Sequence, residues 1–230
     1  MRRLVLFDID GTLLSTNGRA GEALGRALEE TFGTAGPIAG YSFAGKTDPQ
    51  IAYELLGLAG IPREDVAPRL GAAFERYCGH LERALDAETA RVLPGVREVL
   101  AAIEAQEDTA LGLLTGNIRA GAEIKLAAAG LAGRFAIGAF GSDHEDRNRL
   151  VAVARMRAMA RWGDPFAGTR TVVVGDAEAD VRCARAGGAL AVAVASSKTP
   201  RAALAALEPD ALLDSLAAPE ALAAVLGTGG

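Results

Sequence analysis

Apolar and polar positions along the chain follow two alternating rhythms. Residues 4–7 form a continuous apolar run that stops at Asp8, the pattern of a short strand buried on both faces. Runs of the same kind recur at 109–114, 171–174 and 189–195, with shorter ones at 135–139 and 211–213. Between them, helical patterning covers about 95–105, 118–129, 148–162 and 178–186, and Pro200 opens a further helix. Gly187-Gly188 supplies a C-terminal stop for one of these helices. Strands and helices alternating in this way predict an α/β fold, an open parallel sheet with helices on both faces.

The segment 15–88 breaks the alternation. A helical pattern runs over 18–32, followed by a Gly-rich connector from 33 to 45. Thr47, Asp48 and Pro49 make a helix start, with capping side chains followed by Pro in the first turn, and that helix runs to about residue 58. Another begins near Pro62 and continues, with a break, to about 87. The expected organisation is a sheet domain made of 1–14 and 89–230, carrying a helix-only insertion at 15–88. The length agrees, since 230 residues are long for one simple domain and short for two.

Composition narrows the class. Half of the residues are hydrophobic but only 5% are aromatic, so the core is built mainly from Ala, Leu and Val. That content excludes a disordered chain, a collagen-like chain and a disulfide miniprotein. The net charge is −5 and no long Lys/Arg run occurs, which argues against nucleic-acid or anionic-membrane partners. Cys78 and Cys183 are far apart and belong to no metal-ligand spacing, as expected of reduced thiols. Asp8 interrupts the N-terminal apolar run too early for a signal peptide, and no stretch is apolar enough to span a membrane. A soluble cytoplasmic protein, monomer or homodimer, with a frayed tail at 227–230, is the expectation.

In doubly wound sheets, ligands bind beyond the carboxyl ends of the strands. The first strand is followed by Asp8, Asp10, Gly11 and Thr12; the strand at 109–114 by Thr115, Gly116 and Asn117; the strand at 171–174 by Gly175, Asp176 and then Asp180. Any one Asp here reads as a turn or cap residue. Three such strand ends together bring four carboxylates and a hydroxyl to one edge. Those carboxylates would repel one another without a counter-ion, and a hard cation with oxygen ligands, Mg²⁺, resolves the conflict.

The run from Phe7 to Leu14, FDIDGTLL, resembles the first motif, DxDGT, of the haloacid dehalogenase superfamily. Leu113-Leu114-Thr115-Gly116-Asn117 resembles its second motif, and Val174-Gly175-Asp176 with Asp180 resembles its fourth, GDxxxD. The likeness covers essentially the whole chain. It implies a Rossmann-like core, with 15–88 as an all-helical cap of the C1 type. It also implies roles. Asp8 is the nucleophile that forms an aspartyl-phosphate, and Asp10 protonates the leaving group and then deprotonates the attacking water. Mg²⁺ falls to the Asp8 and Asp176 carboxylates and the Asp10 backbone carbonyl, with Asp180 as a supporting carboxylate. Thr115 binds a phosphoryl oxygen together with Gly116 and Asn117, while Gly11 and Thr12 shape the loop that approaches the phosphate.

The third motif departs from the family, whose members of this type usually carry a Lys there. Residues 141–150 read GSDHEDRNRL and contain no Lys. Arg147 or Arg149 must supply the charge, with Arg147 preferred because Asn148 looks like the helix cap. In the cap, Lys46 before a helix N-terminus has two equal readings, an anion-binding residue or a solvated side chain. Halide leaves without a proton, so dehalogenases of the superfamily lack the second Asp. The pair Asp8 and Asp10 therefore favours hydrolysis of a small phosphorylated metabolite, in the manner of phosphoglycolate phosphatases. Sugar-phosphate mutation, as in beta-phosphoglucomutases, is the enzyme alternative. Phosphonatase or dehalogenase chemistry and a receiver-like regulatory module rank lower.

Overall fold

The computed structural model describes residues 3–227. Thr228 to Gly230, part of the expected frayed tail, lie outside the described residues. The chain opens with β1 (Arg3–Phe7) and a short strand, β2 (Leu14–Ser15). Four helices follow: α1 (Arg19–Phe32), α2 (Asp48–Leu58), α3 (Arg63–Val66) and α4 (Leu70–Ala84). Next come β3 (Arg91–Val92), α5 (Val96–Glu104), β4 (Thr109–Thr115), α6 (Arg119–Ala128) and β5 (Ile137–Phe140). The remainder is α7 (Leu150–Trp162), β6 (Thr171–Gly175), α8 (Glu178–Ala186), β7 (Leu190–Val194), α9 (Arg201–Ala205), β8 (Ala211–Leu213) and α10 (Ala221–Val225).

Six strands form one sheet in the order β5-β4-β1-β6-β7-β8, and every neighbouring pair is parallel. Successive side chains of a strand point to opposite faces. Val5, Phe7, Leu113, Val172 and Val174 accordingly join one core, under α5, α6 and α10. Leu4, Leu6, Leu114, Val173 and Ala191 join a second, under α7, α8 and α9. Both faces are dry, which is why these strands read as unbroken apolar runs instead of alternating ones. Each fully buried Leu or Val side chain contributes about 1.5–3 kcal/mol.

Helices α1 to α4 share a core of their own around Leu24, Leu28, Leu55, Leu56, Tyr77 and Leu81. The expected break in the last helical stretch falls at a 3-10 turn over Ala67–Arg69, which separates α3 from α4. One expectation is corrected. The segment 15–88 is not helical from its first residue, because Ser15 lies in β2, which pairs antiparallel with β3 through Leu14–Val92 and Ser15–Arg91. Two-residue strands are too short to show a period, so the sequence could not announce them. They stand where the chain enters and leaves the helical block.

Candidate active site

The site is built at the carboxyl edge of three adjacent strands, β4, β1 and β6. The Asp8 N–H donates to Val174 O at 2.9 Å, carrying the ladder one residue beyond β1 and holding Asp8 beside the end of β6. The chain then turns, with Ile9 O accepting from the N–H groups of Leu13 at 2.9 Å and Leu14 at 3.1 Å. Gly11 sits in this turn at φ +83°, and a Cβ there would overlap the Asp176 carboxylate. The position therefore needs glycine both for its dihedral and for its close approach.

Asp8, Asp176 and Asp180 are buried, and each offers a carboxylate oxygen within 4.8 Å of the others. Asp176 accepts from Thr12 Oγ1 at 3.0 Å and from Ser197 Oγ. Asp180 folds back so that Oδ2 accepts from the Ala177 N–H at 3.0 Å, at the start of α8. Burial pushes the Asp176 carboxyl above its ordinary range; the Asp8 charge adds to this, and the two hydroxyls oppose it. Burial likewise raises Asp180, with Arg147 pulling it down and the Asp8 and Asp176 charges pushing it up.

Arg147 is the cation of this cluster. Its Nη2 donates to Asp180 Oδ1 and lies 3.3 Å from Asp8 Oδ1. The same atom reaches Leu114 O at 3.3 Å, while Nη1 donates to Gly45 O at 3.2 Å. Its Nε is buried without a hydrogen-bond partner among the described residues. Burial opposes the guanidinium charge, but Asp180 and Asp8 more than offset it and hold the group protonated. Arg149 faces away; its side chain is 72% exposed and 4.0 Å from Asp146. Both residues lie in a 3-10 turn, where side chains two apart diverge by design of the three-residue repeat. The cap of that turn is Asp146 and not Asn148, for the Asp146 carboxylate accepts from the Asn148 N–H at 3.0 Å. Aspartate wins because its acceptor reaches the backbone two residues on.

Asp10 belongs to a separate network. Its Oδ2 accepts from Lys125 Nζ at 2.6 Å and from Asn117 Nδ2 at 2.8 Å. Asn117 Nδ2 also reaches Thr115 Oγ1 at 2.7 Å, and Asn117 Oδ1 accepts from Lys125 Nζ at 2.5 Å. Thr115 is fully buried at the end of β4. Lys125 and Ser197 escaped the sequence reading. For Lys125 a signal existed: it shares with Ala122, Leu126 and Ala129 the side of α6 that enters the core. A lysine in an apolar stripe is a misfit that asks for a buried partner. Ser197 lies in the loop after β7 and shows no pattern.

The helical block reaches this edge through the start of α2. Thr47 Oγ1 donates to Glu145 O at 2.7 Å and accepts from the Gln50 N–H at 3.2 Å. The Asp48 N–H donates to Gly116 O at 2.8 Å, and Asp48 Oδ2 accepts from the Ile118 N–H at 2.8 Å. A Cβ on Gly116 would overlap Lys46 O, so glycine permits the contact. Lys46 Nζ is itself paired with Glu54 at 2.5 Å and Tyr41 Oη at 2.9 Å. It lines, with Gly45, Arg147, Arg182 and Lys198, a cleft of about 550 Å³.

Burial pushes the Asp48 carboxyl up from 3.8 to about 6. A raised carboxyl pKa means that the folded chain binds the proton more tightly than the unfolded one. Its stabilising effect is complete below the unfolded pKa and is lost as pH rises through about 6. Asp48→Asn keeps an acceptor for Ile118 without the charge. The variant is expected to melt higher than the wild type at about pH 7.5, by up to about 3 kcal/mol in stability, and to lose that gain near about pH 4. Melting curves at the two pH values check this; equal curves at both would refute it.

The carboxylate trio also suits a metal. Its donors are all hard oxygens, they repel one another, and one guanidinium cannot balance three carboxylates. Among the described residues no helix is long and apolar enough to cross a membrane. Cys78 and Cys183 are free thiols.

An open α/β sheet, a carboxylate pair after its first strand and a carboxylate cluster at its edge are the arrangement expected of one superfamily. The sequence model of the haloacid dehalogenase-like hydrolases matches residues 5–185, and the chain belongs to that family. It is 30% identical over 217 residues to the probable phosphatase IndB of Dickeya dadantii, covering 94% of this chain and 90% of that one. A predicted phosphoglycolate phosphatase from Haemophilus somnus matches with a TM-score of 0.67 and 19% identity, over 94% of this chain and 95% of that one. A beta-phosphoglucomutase from Clostridium difficile matches with a TM-score of 0.68 and 13% identity, over 99% and 98%. At these identities the two structures speak for the fold alone.

Proposed function

We propose that this protein is a Mg²⁺-dependent phosphatase acting on a small phosphomonoester through an aspartyl-phosphate on Asp8. The observation that carries the reading is the division of labour between two carboxylates two residues apart. Asp8 lies beside Arg147 in the buried cluster, and Asp10 is held apart from it by Lys125 and Asn117.

Asp8 attacks phosphorus, and the bond from phosphorus to the ester oxygen breaks. Asp10 gives its proton to the departing alkoxide. A water then attacks the phosphoryl group, Asp10 takes a proton from it, the bond to Asp8 breaks, and inorganic phosphate leaves. Arg147 faces the charge that develops on the transferring group, filling the role of the missing third-motif Lys with a fixed, forked cation. Thr115 and Gly116 bind phosphoryl oxygens, with Gly11 and Thr12 shaping the opposite wall, while the Asn117 amide is committed to Asp10 and Thr115. The Asp8 and Asp176 carboxylates and the Asp10 carbonyl, supported by Asp180, would hold Mg²⁺, which would supply positive charge between nucleophile and phosphate.

The helices at 15–88 form the cap, and their docking at Gly116 and Ile118 limits the substrate to a small molecule. Lys46 contacts an anionic substrate by exchanging Glu54 for it. A halide would need no proton, so the dedicated seat for Asp10 favours an alkoxide leaving group. The name of the relative IndB agrees with this reading. Phosphate release from 4-nitrophenyl phosphate and a panel of small phosphomonoesters, with Mg²⁺ and with chelator, tests it. Mg²⁺-dependent release is expected. No release from any ester would overturn the proposal, and phosphoryl transfer to a second sugar hydroxyl would replace hydrolysis with mutation.

A further inference from the structure

Lys125 is only 2% exposed, in the second turn of α6. A buried ammonium is costly unless it is paired, and a hydrophobic residue at this place would pack without that cost. Its partners account for it. Nζ donates to Asp10 Oδ2 at 2.6 Å and to Asn117 Oδ1 at 2.5 Å. The second bond sets the Asn117 amide, leaving Nδ2 to donate to Asp10 Oδ2 at 2.8 Å and to Thr115 Oγ1 at 2.7 Å. With the amide reversed, its oxygen would face the Asp10 carboxylate and that bond would be lost. Lys125 and Asn117 thus grip the same Asp10 oxygen. Oδ1 accepts no hydrogen bond from any described residue.

We propose that Lys125 is a positioning residue for Asp10: by pinning Oδ2, directly and through Asn117, it makes Oδ1 the oxygen that exchanges the proton. The inference rests on the phosphatase reading above. The arrangement serves both steps. When Asp10 carries its proton on Oδ1, Oδ2 still accepts from Lys125. After the proton passes to the leaving oxygen, the carboxylate stays in place to take one from water on the same Oδ1. Lys125 makes no bond to Asp8, Asp176 or Asp180, so its loss leaves the nucleophile and the metal-binding carboxylates in place.

Lys125→Met tests this by first-turnover and steady-state kinetics on two substrates. The leaving group of 4-nitrophenyl phosphate is a stable anion that needs no proton, whereas an alkyl phosphate such as glycerol phosphate needs one. With 4-nitrophenyl phosphate, the first turnover is expected to stay within about threefold of the wild type, while kcat falls about 100-fold because the water step needs Asp10. With the alkyl phosphate, the first turnover itself slows by about 100-fold. Lys125→Arg, which retains a donor, recovers part of the loss. A kcat within about threefold of wild type, or equal slowing of both first turnovers, would overturn the proposal. Lys125→Gln carries the same comparison if the Met variant does not fold. A wild-type enzyme that releases no phosphate overturns the phosphatase reading together with this one; an active wild type with an indifferent variant overturns only the role of Lys125.

Discussion

Asp8→Asn is expected to abolish turnover, by at least about 10⁴-fold, and to raise the melting temperature of the protein. The loss follows from the chemistry, since an amide is a poor nucleophile and no neighbouring carboxylate can take the place of Asp8 at the end of β1. Asp176 is tied to Thr12 and Ser197, and Asp180 to Ala177 and Arg147. The gain in stability follows from the electrostatics. The Asp8 charge is the second cause, after burial, that raises the Asp176 carboxyl. Removing it relieves a repulsion that folding imposes and that the unfolded chain does not feel. Phosphate release and thermal melting of one preparation check both halves. Normal turnover would remove Asp8 from the nucleophile's role, and a lower melting temperature would show that the cluster is not a source of strain.

Arg147→Met has the opposite signature, losing activity and stability together. The guanidinium joins Asp8, Asp180, Leu114 O and Gly45 O, so it ties the edge of the sheet to the segment that precedes α2. Its removal strands buried carboxylates, a change that typically costs about 3–5 kcal/mol. Activity is expected to fall by about 10³-fold, because charge on the transferring group loses the fixed cation beside Asp8. The stability loss is smaller at about pH 5 than at about pH 8. Burial already raises the Asp180 carboxyl, and without Arg147 the group takes up a proton instead of remaining charged. Arg149→Met is the control: that side chain is 72% exposed, and its loss is expected to leave activity near the wild-type level. Equal damage from both variants would break the assignment of Arg147.

The legible part of this protein was the part with a period or a motif. Uninterrupted apolar runs announced β1, β4, β6 and β7, because strands covered on both faces have no polar side to alternate with. Asp8, Asp10, Asp176 and Asp180 were legible because they follow those strands at the edge where such sheets bind ligands. The two short strands β2 and β3 were not, since two residues carry no rhythm. Nor was the choice between Arg147 and Arg149. Both are arginines beside Asn148, and the direction each faces depends on a 3-10 turn capped by Asp146.

Local sequence, then, was enough for the architecture and for the residue types at the carboxyl edge of its sheet. These depend on patterning within one element and on turn chemistry at its end. Which carboxylate meets which cation was decided only in three dimensions. Lys125 is 115 residues from Asp10, and Arg147 is 33 from Asp180. Ile118 and Asp48 meet across 70 residues. Pairings of that range arise from the parallel order β4-β1-β6 and from the docking of α2, and no window along the chain contains them. Their energies depend on how dry the site becomes once the helices close on it, and that is a property of the packed structure alone.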